Sequence, residues 1–405
     1  ELSQATGFNL SGSMSDEEDV SFKATDHPIL QLINLSKTKK TTLKHEYNHS
    51  NIPFTWTEVK YVADSYANYK DAFGLMDFTD LIICFAEQAD HLMPSLSICF
   101  LDEAQDLSPL QWDIAHKLDE KSERMYVAGD DDQAIYRWAG ADVDHFINLP
   151  GEQSYRVPVS VHALAEKIAS RIQNRFPKVY RPKKEQGQVL RVPDIRTLDM
   201  SQGNWLIMAQ ARYMLYDIQQ ELKNGGYLYE KQNGQRSIPE KMSLAINGWE
   251  TLRRGKSVHF GAVQAIYSYM TGNGAKIKRG HKNIRADDED MFDLKQLQDH
   301  HGLLATDEMI WHEAMDRIPD TDRAYVTALL RRGEKFNAKP RIRLSTIHGT
   351  KGGEAENVVI LPDLTAAAME EAGDDLHRVF YVGVTRTLQN LYILEPDDYM
   401  RAYAL

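Results

Sequence analysis

Two short stretches hold residues that could do chemistry together. Asp102-Glu103-Ala104-Gln105-Asp106 follows the apolar run Ile98-Cys99-Phe100-Leu101, and Gly129-Asp130-Asp131-Asp132-Gln133 follows the run Met125-Tyr126-Val127-Ala128. Adjacent carboxylates at a strand end can divide labour, one holding a divalent cation and the next polarising a water. Nucleoside-triphosphate hydrolysis needs such a pair. A polar strand end that caps the following helix has the same residues. In the second stretch, the neutral amide of Gln133 could contact a γ-phosphate and orient a water; an acidic Gly–Asp turn is the alternative. Tyr136 and Trp138 follow directly. Aromatics beside such a loop suit base stacking, worth roughly 1–3 kcal/mol per base, although Trp138 alone reads first as core.

The elements that must position these groups follow from the patterning. Both apolar runs predict buried strands whose C-terminal ends deliver the polar groups, the edge at which open parallel sheets bind ligands. Residues 1–55 are weakly patterned. A helix is expected over Thr57–Phe73, and another begins near Leu75, capped by Asp77 or Thr79, with Leu81, Ile82, Phe85 and Ala89 toward the core until Pro94 ends it. Helices are expected over Pro109–Leu118 and Ser160–Phe176, with a short one near Val143–Phe146. Trp205–Ala209 reads as a buried strand, and the helix Met214–Leu222 after it closes on Asn224-Gly225-Gly226, a C-cap signal. Residues 227–335 read as helices with polar connectors and no strand alternation. Strands return at Ile342–Thr346, Asn357–Leu361 and Asn390–Leu394.

At this point the motifs carry a resemblance. Phe100–Asp106 together with Gly129–Ala141 resembles motifs II and III of the UvrD/Rep-like DNA helicases of superfamily 1. Asp77-Phe78-Thr79-Asp80-Leu81 is similar to the short motif that precedes that family's Walker B strand. Gln153-Ser154-Tyr155-Arg156 resembles motif IV, Leu344–Glu354 motif V, and Val379–Arg386 motif VI. They stand in family order from residue 77 to 386.

The resemblance implies an α/β fold: tandem RecA-like P-loop NTPase motor domains with parallel sheets and a mostly helical insertion in the second. The implied boundaries are 1–150 for a partial first motor domain, with accessory remnants at 1–75. Residues 151–226 and 336–405 would form the second motor domain, and 227–335 the insertion. It also implies ATP and Mg²⁺ as cofactors. Asp102 would hold the metal, Glu103 would be the general base, and Gln133 would read the γ-phosphate. Tyr155 would stack on adenine, Arg156 and Arg386 would be arginine fingers, and Glu354, with Gly352 beside it, would hold the nucleotide. Tyr136, Trp138, Thr346 and His348 would touch single-stranded DNA, and the implied partners are single strands and single-strand/duplex junctions. Read singly, each arginine is a surface ion pair and His348 a structural histidine. The implied activity is ATP-driven translocation and unwinding with 3′→5′ polarity. The helicase portion of a recombination-type nuclease–helicase, or a non-catalytic DNA-binding relative, would share these motifs.

One departure is sharp. The family's phosphate loop has the pattern G-x-x-x-x-G-K-[ST], in which backbone amides and Lys cradle phosphates. Ser36-Lys37-Thr38-Lys39-Lys40-Thr41-Thr42 offers Lys and Thr but no Gly. The expectation is a chain truncated upstream of that loop, with negligible ATPase of its own.

Bulk properties set outer bounds. At roughly 100–200 residues per domain, 405 residues predict two to four domains. Net charge of −12 excludes a surface coated in basic residues, though not a local phosphate-binding groove. The cationic runs at Arg181–Lys184, Lys276–Lys282 and Arg331–Arg343 each read first as solvated faces. Cys84 and Cys99 both lie in apolar runs and are expected to be buried thiols in a reducing, cytoplasmic compartment. No apolar run approaches the ~20 residues of a membrane span, so no membrane partner is expected.

Overall fold

In the computed structural model, residues 3, 6–8, 10, 27–136, 139–142, 157–175, 182–336, 338–350, 353–370 and 373–405 are described. Two compact units emerge. One comprises Glu1–Arg191, Met208–Arg212 and Thr346–Leu405; the other comprises Val192–Ile207 and Tyr213–Ser345. Strands are β1 Cys99–Leu101, β2 Met125–Val127, β3 Gln188–Val192, β4 Trp205–Ala209, β5 Tyr229–Lys231, β6 Val258–His259, β7 Met291–Phe292, β8 Ile342–Thr346, β9 Ala355–Ile360 and β10 Thr387–Leu394. A mixed α/β architecture results, with a six-stranded sheet in the order β3-β10-β9-β4-β8-β5. The β9–β10 and β5–β8 pairs are parallel, a geometry that requires crossover connections.

In the first unit, local sequence signals set the helix ends. The helix Trp56–Phe73 starts at a Thr55–Glu58 capping box and stops at Gly74, whose φ of 60° suits a residue without Cβ. Asp77 caps Phe78–Leu92 by accepting from the Asp80 amide, and Ser108 with Gln111 caps Pro109–Glu120. The weakly patterned N-terminal region nevertheless contains the helices Pro28–Thr38 and Leu43–Asn48. Ile29, Leu32 and Ile33 of the first pack with Val59 and Val62 in a small core.

β1 and β2 pair in parallel register, Cys99 with Met125 through Leu101 with Val127. Here the structure corrects the sequence reading. These strands are not buried: Phe100 is 76% and Tyr126 51% exposed, and their rings stack at 5.2 Å. Among the described residues the sheet has these two strands alone, so the outward side chains find cover only in each other. Leu81 is also half exposed, and the free thiols of Cys84 and Cys99 are only partly buried.

In the second unit, Trp249 is fully buried between the helices Glu240–Arg253 and Phe260–Ser268, and its indole N–H donates to the Met309 carbonyl at 2.9 Å. The absence of strands expected over 227–335 is a second correction. β5 joins the large sheet, and β6 pairs antiparallel with β7. Both elements of the β6–β7 pair are two residues long, too short to show a period-2 pattern. Two of the helices in this region are short, Leu294–His300 and Trp311–Ala314. No helix among the described residues is long and apolar enough to cross a membrane.

Candidate nucleotide and DNA site

β1 ends at Leu101 and hands the chain to two exposed carboxylates, Asp102 and Glu103. The Asp102 carboxylate accepts from the Glu103 amide at 2.9 Å. Glu103 itself sits in the left-handed region at φ 54° and ψ 36°. For a residue with a Cβ that costs of order 1–3 kcal/mol, and such strain concentrates at functional positions.

A buried amide connects this strand end to the next. Gln105, with no exposed surface, donates to the Glu103 carboxylate at 2.5 Å and accepts from the Asp130 amide at 2.9 Å. Asp130 opens the 3-10 turn Asp131–Gln133, and its carboxylate accepts from the Gln133 side-chain amide at 2.9 Å. Gln105 lies inside the acidic stretch Asp102–Asp106, two residues from Glu103. The signal that could have found it is an amide side chain two residues from a catalytic-type carboxylate.

The opposite wall comes from the helix Asp374–Val384 and the residues just after it. Arg386, 1% exposed, donates to Gln133 Oε1 at 2.7 Å and to the Val382 carbonyl at 3.1 Å, and reaches the Gly353 carbonyl at 3.4 Å. Tyr381 reaches the Asp130 carboxylate at 3.4 Å. Thus Glu103, Gln133 and Arg386 belong to one connected polar network, linked through Gln105 and Asp130. Glu354 is exposed at the start of β9.

The expected DNA-contacting residues divide. Tyr136 donates to the His348 carbonyl at 3.3 Å, and the two rings lie 6.4 Å apart. His348 is 8% exposed and Thr346 2%, with the Thr346 hydroxyl accepting from the Gly349 amide at 3.2 Å. Burial pushes the His348 imidazole down to about 4, so it is neutral at physiological pH. Among the described residues its Nδ1 has no hydrogen-bond partner. Trp138, Tyr155, Arg156 and Gly352 lie outside the described residues.

The Ser36–Thr42 stretch offers no phosphate loop. Its first residues end a helix, and Lys37 is engaged by Asp77 at 3.3 Å and Asp80 at 2.6 Å. Among the described residues no cluster of three or more His, Cys, Asp or Glu is poised to hold a metal alone. An exposed Asp102 fits Mg²⁺, which takes one or two carboxylates and keeps waters and substrate phosphates as its other ligands.

Residues 10–153 match the UvrD/REP helicase N-terminal domain, and residues 341–394 match the UvrD-like helicase C-terminal domain. ATP-dependent DNA helicase PcrA of Bacillus subtilis is 29% identical over 137 residues, covering 29% of this chain and 18% of that protein. DNA helicase II of Escherichia coli is 27% identical over 164 residues, 36% of this chain and 22% of the relative. PcrA of Leuconostoc citreum is 25% identical over 220 residues, 48% and 28% respectively. The aligned part thus spans well under a third of each relative's length.

Proposed function

Because this chain belongs to the UvrD/REP helicase family, we propose that the protein is an ATP-dependent motor that moves on single-stranded DNA and opens duplex at single-strand/duplex junctions. The polarity is 3′→5′, and the work is replication, repair or recombination. The observation that carries this reading is the Arg386–Gln133 hydrogen bond, which joins the residue placed to sense the γ-phosphate to an arginine of the opposite wall.

Each residue has a task with a physical reason. Asp102 would hold Mg²⁺, which would supply positive charge to offset the charge that develops on the phosphates. Glu103 accepts the proton of the attacking water. Gln133 orients that water, and Arg386 with Arg156 stabilises charge on the transferred group. Tyr155 stacks on adenine, and Glu354 and Gly352 hold the nucleotide. Tyr136 and Trp138 stack on bases, while Thr346 and His348 support the strand-facing loop. Residues 1–150 serve as the first motor domain, 151–226 and 336–405 as the second, and 227–335 as an accessory insertion.

The test is Glu103→Gln in the full-length protein. General-base catalysis contributes about 10²–10⁴-fold, so DNA-stimulated ATP hydrolysis should fall by about that factor while single-strand affinity is kept. Normal turnover by the variant would refute the assignment.

A further inference from the structure

Three arginines from two segments converge on the 3-10 turn Asp131–Gln133. Arg386 holds the Gln133 amide, as described. Arg175 donates to the Asp132 carboxylate at 2.7 Å, and Asp132 has no exposed surface. Arg378, also fully buried, donates from Nε to the Asp131 carbonyl at 3.1 Å, and its Nη2 donates to the Asn174 carbonyl. Its remaining terminal nitrogen pairs with Asp375 one turn earlier at 3.1 Å. Asp374 closes the arrangement, accepting from the Gln173 and Asn174 amides at 2.8 Å each.

The geometry has a direction. Arg378 and Tyr381 lie three residues apart on one face of the helix Asp374–Val384, and Arg386 follows on the same side just past its end. That face touches residues 130, 131 and 133 in turn. Through Asp374 and Arg378 it also grips segment 173–175, whose Arg175 holds residue 132. A shift of this helix therefore moves the turn at both ends together.

Burying a guanidinium costs several kcal/mol before its hydrogen bonds are counted, and apolar residues of similar volume would join a helix to a turn at lower cost. What the arginines supply is fixed direction, since the planar fork aims each donor. We propose that Arg378 and the Arg175–Asp132 pair are positioning residues that carry DNA-induced movement of the helix Asp374–Val384 to the Gln133 side chain. This rests on the motor reading above.

The experiment uses the full-length protein with Arg378→Gln, Arg378→Lys, Arg175→Gln and Asp132→Asn. A misplacement of about 1 Å can cost roughly 10²-fold, so the Gln and Asn variants should lose at least about tenfold in DNA-stimulated kcat. Unstimulated turnover, KM for ATP and single-strand Kd should stay within about twofold, and Arg378→Lys should recover part of the stimulation. If the variants melt earlier but keep wild-type stimulation, or if kcat falls while KM and Kd rise together, the positioning role is overturned. A wild-type protein without DNA-stimulated turnover would instead defeat the motor reading. The clamp is then read by amide hydrogen exchange over residues 130–134: faster exchange in Arg378→Gln supports it, and unchanged protection overturns it.

Discussion

Arg386 donates to the Gln133 side chain at 2.7 Å while being itself 1% exposed. Its other donors are committed to the Val382 and Gly353 carbonyls, so the whole fork is held. A lysine brings one compact ammonium and cannot reproduce that fork. Arg386→Lys is therefore expected to reduce DNA-stimulated ATP hydrolysis by about 10³-fold or more, the scale of a lost arginine finger. A coupled ATPase assay with and without single-stranded DNA checks it. Turnover at the wild-type rate would remove Arg386 from the site.

His348 makes stability depend on pH in a defined direction. Burial holds its imidazole at about 4 in the folded protein, against about 6.5 when unfolded. Below that unfolded value the denatured chain takes up a proton that the native chain refuses. Stability is therefore full above about pH 6.5, falls as pH drops, and levels off near pH 4, a loss of about 3 kcal/mol. Denaturant unfolding of wild type and His348→Gln across that window measures the term. The wild-type curve should fall more steeply toward acid, and parallel curves would show that folding leaves the His348 pKa unshifted.

Asp77 joins a helix cap to a charge network. Its carboxylate accepts from the Asp80 amide, from Lys70 at 2.7 Å, from Lys37 at 3.3 Å and from the Tyr66 hydroxyl at 3.1 Å. Burial works to raise its pKa, but the Lys70 hydrogen bond, the amide and the Lys37 charge outweigh it and hold the carboxyl well below the usual range. Its contribution is present above about pH 4 and is lost as pH falls further. Losing an N-cap costs about 1 kcal/mol, and partly exposed ion pairs add little more. Asp77→Ala should cost about 1–2 kcal/mol, and Asp77→Asn, which keeps the cap, less. Urea midpoints at neutral pH decide between cap and charge.

What the sequence showed and what it hid divide along physical lines. Caps and strand runs are local, so the Asp77 cap, the buried strand Trp205–Ala209 and β8 to β10 were legible. Exposure of Phe100 was not, because an apolar run signals a strand but its burial depends on what packs against it. Arg378 was passed over for a related reason. Its Nε bonds a backbone carbonyl 247 positions away, and carbonyls leave no residue-type signature. The available clue was its helical spacing with Tyr381 and Arg386.

The cap after the helix Tyr216–Asn224 allows a strict test of the fold. Tyr227 N–H reaches the Leu222 carbonyl at 2.9 Å and Gly226 N–H the Lys223 carbonyl at 3.1 Å, the paired bonds of a Schellman motif. Gly226 provides the left-handed residue at φ +68°, and a Cβ there would stand 2.6 Å from the Ala328 carbonyl carbon and oxygen. Left-handed backbone alone costs about 1–2 kcal/mol with a side chain. The clash is with helix backbone, which cannot rotate aside as a side-chain end could, so overpacking adds about 1–3 kcal/mol. Gly226→Ala should thus destabilise by about 2–5 kcal/mol, whereas Gly234→Ala, at φ +73° with nothing near its Cβ, should cost only the backbone part. Equal losses in the two variants, measured by chemical denaturation, would show that the Ala328 contact is absent in solution.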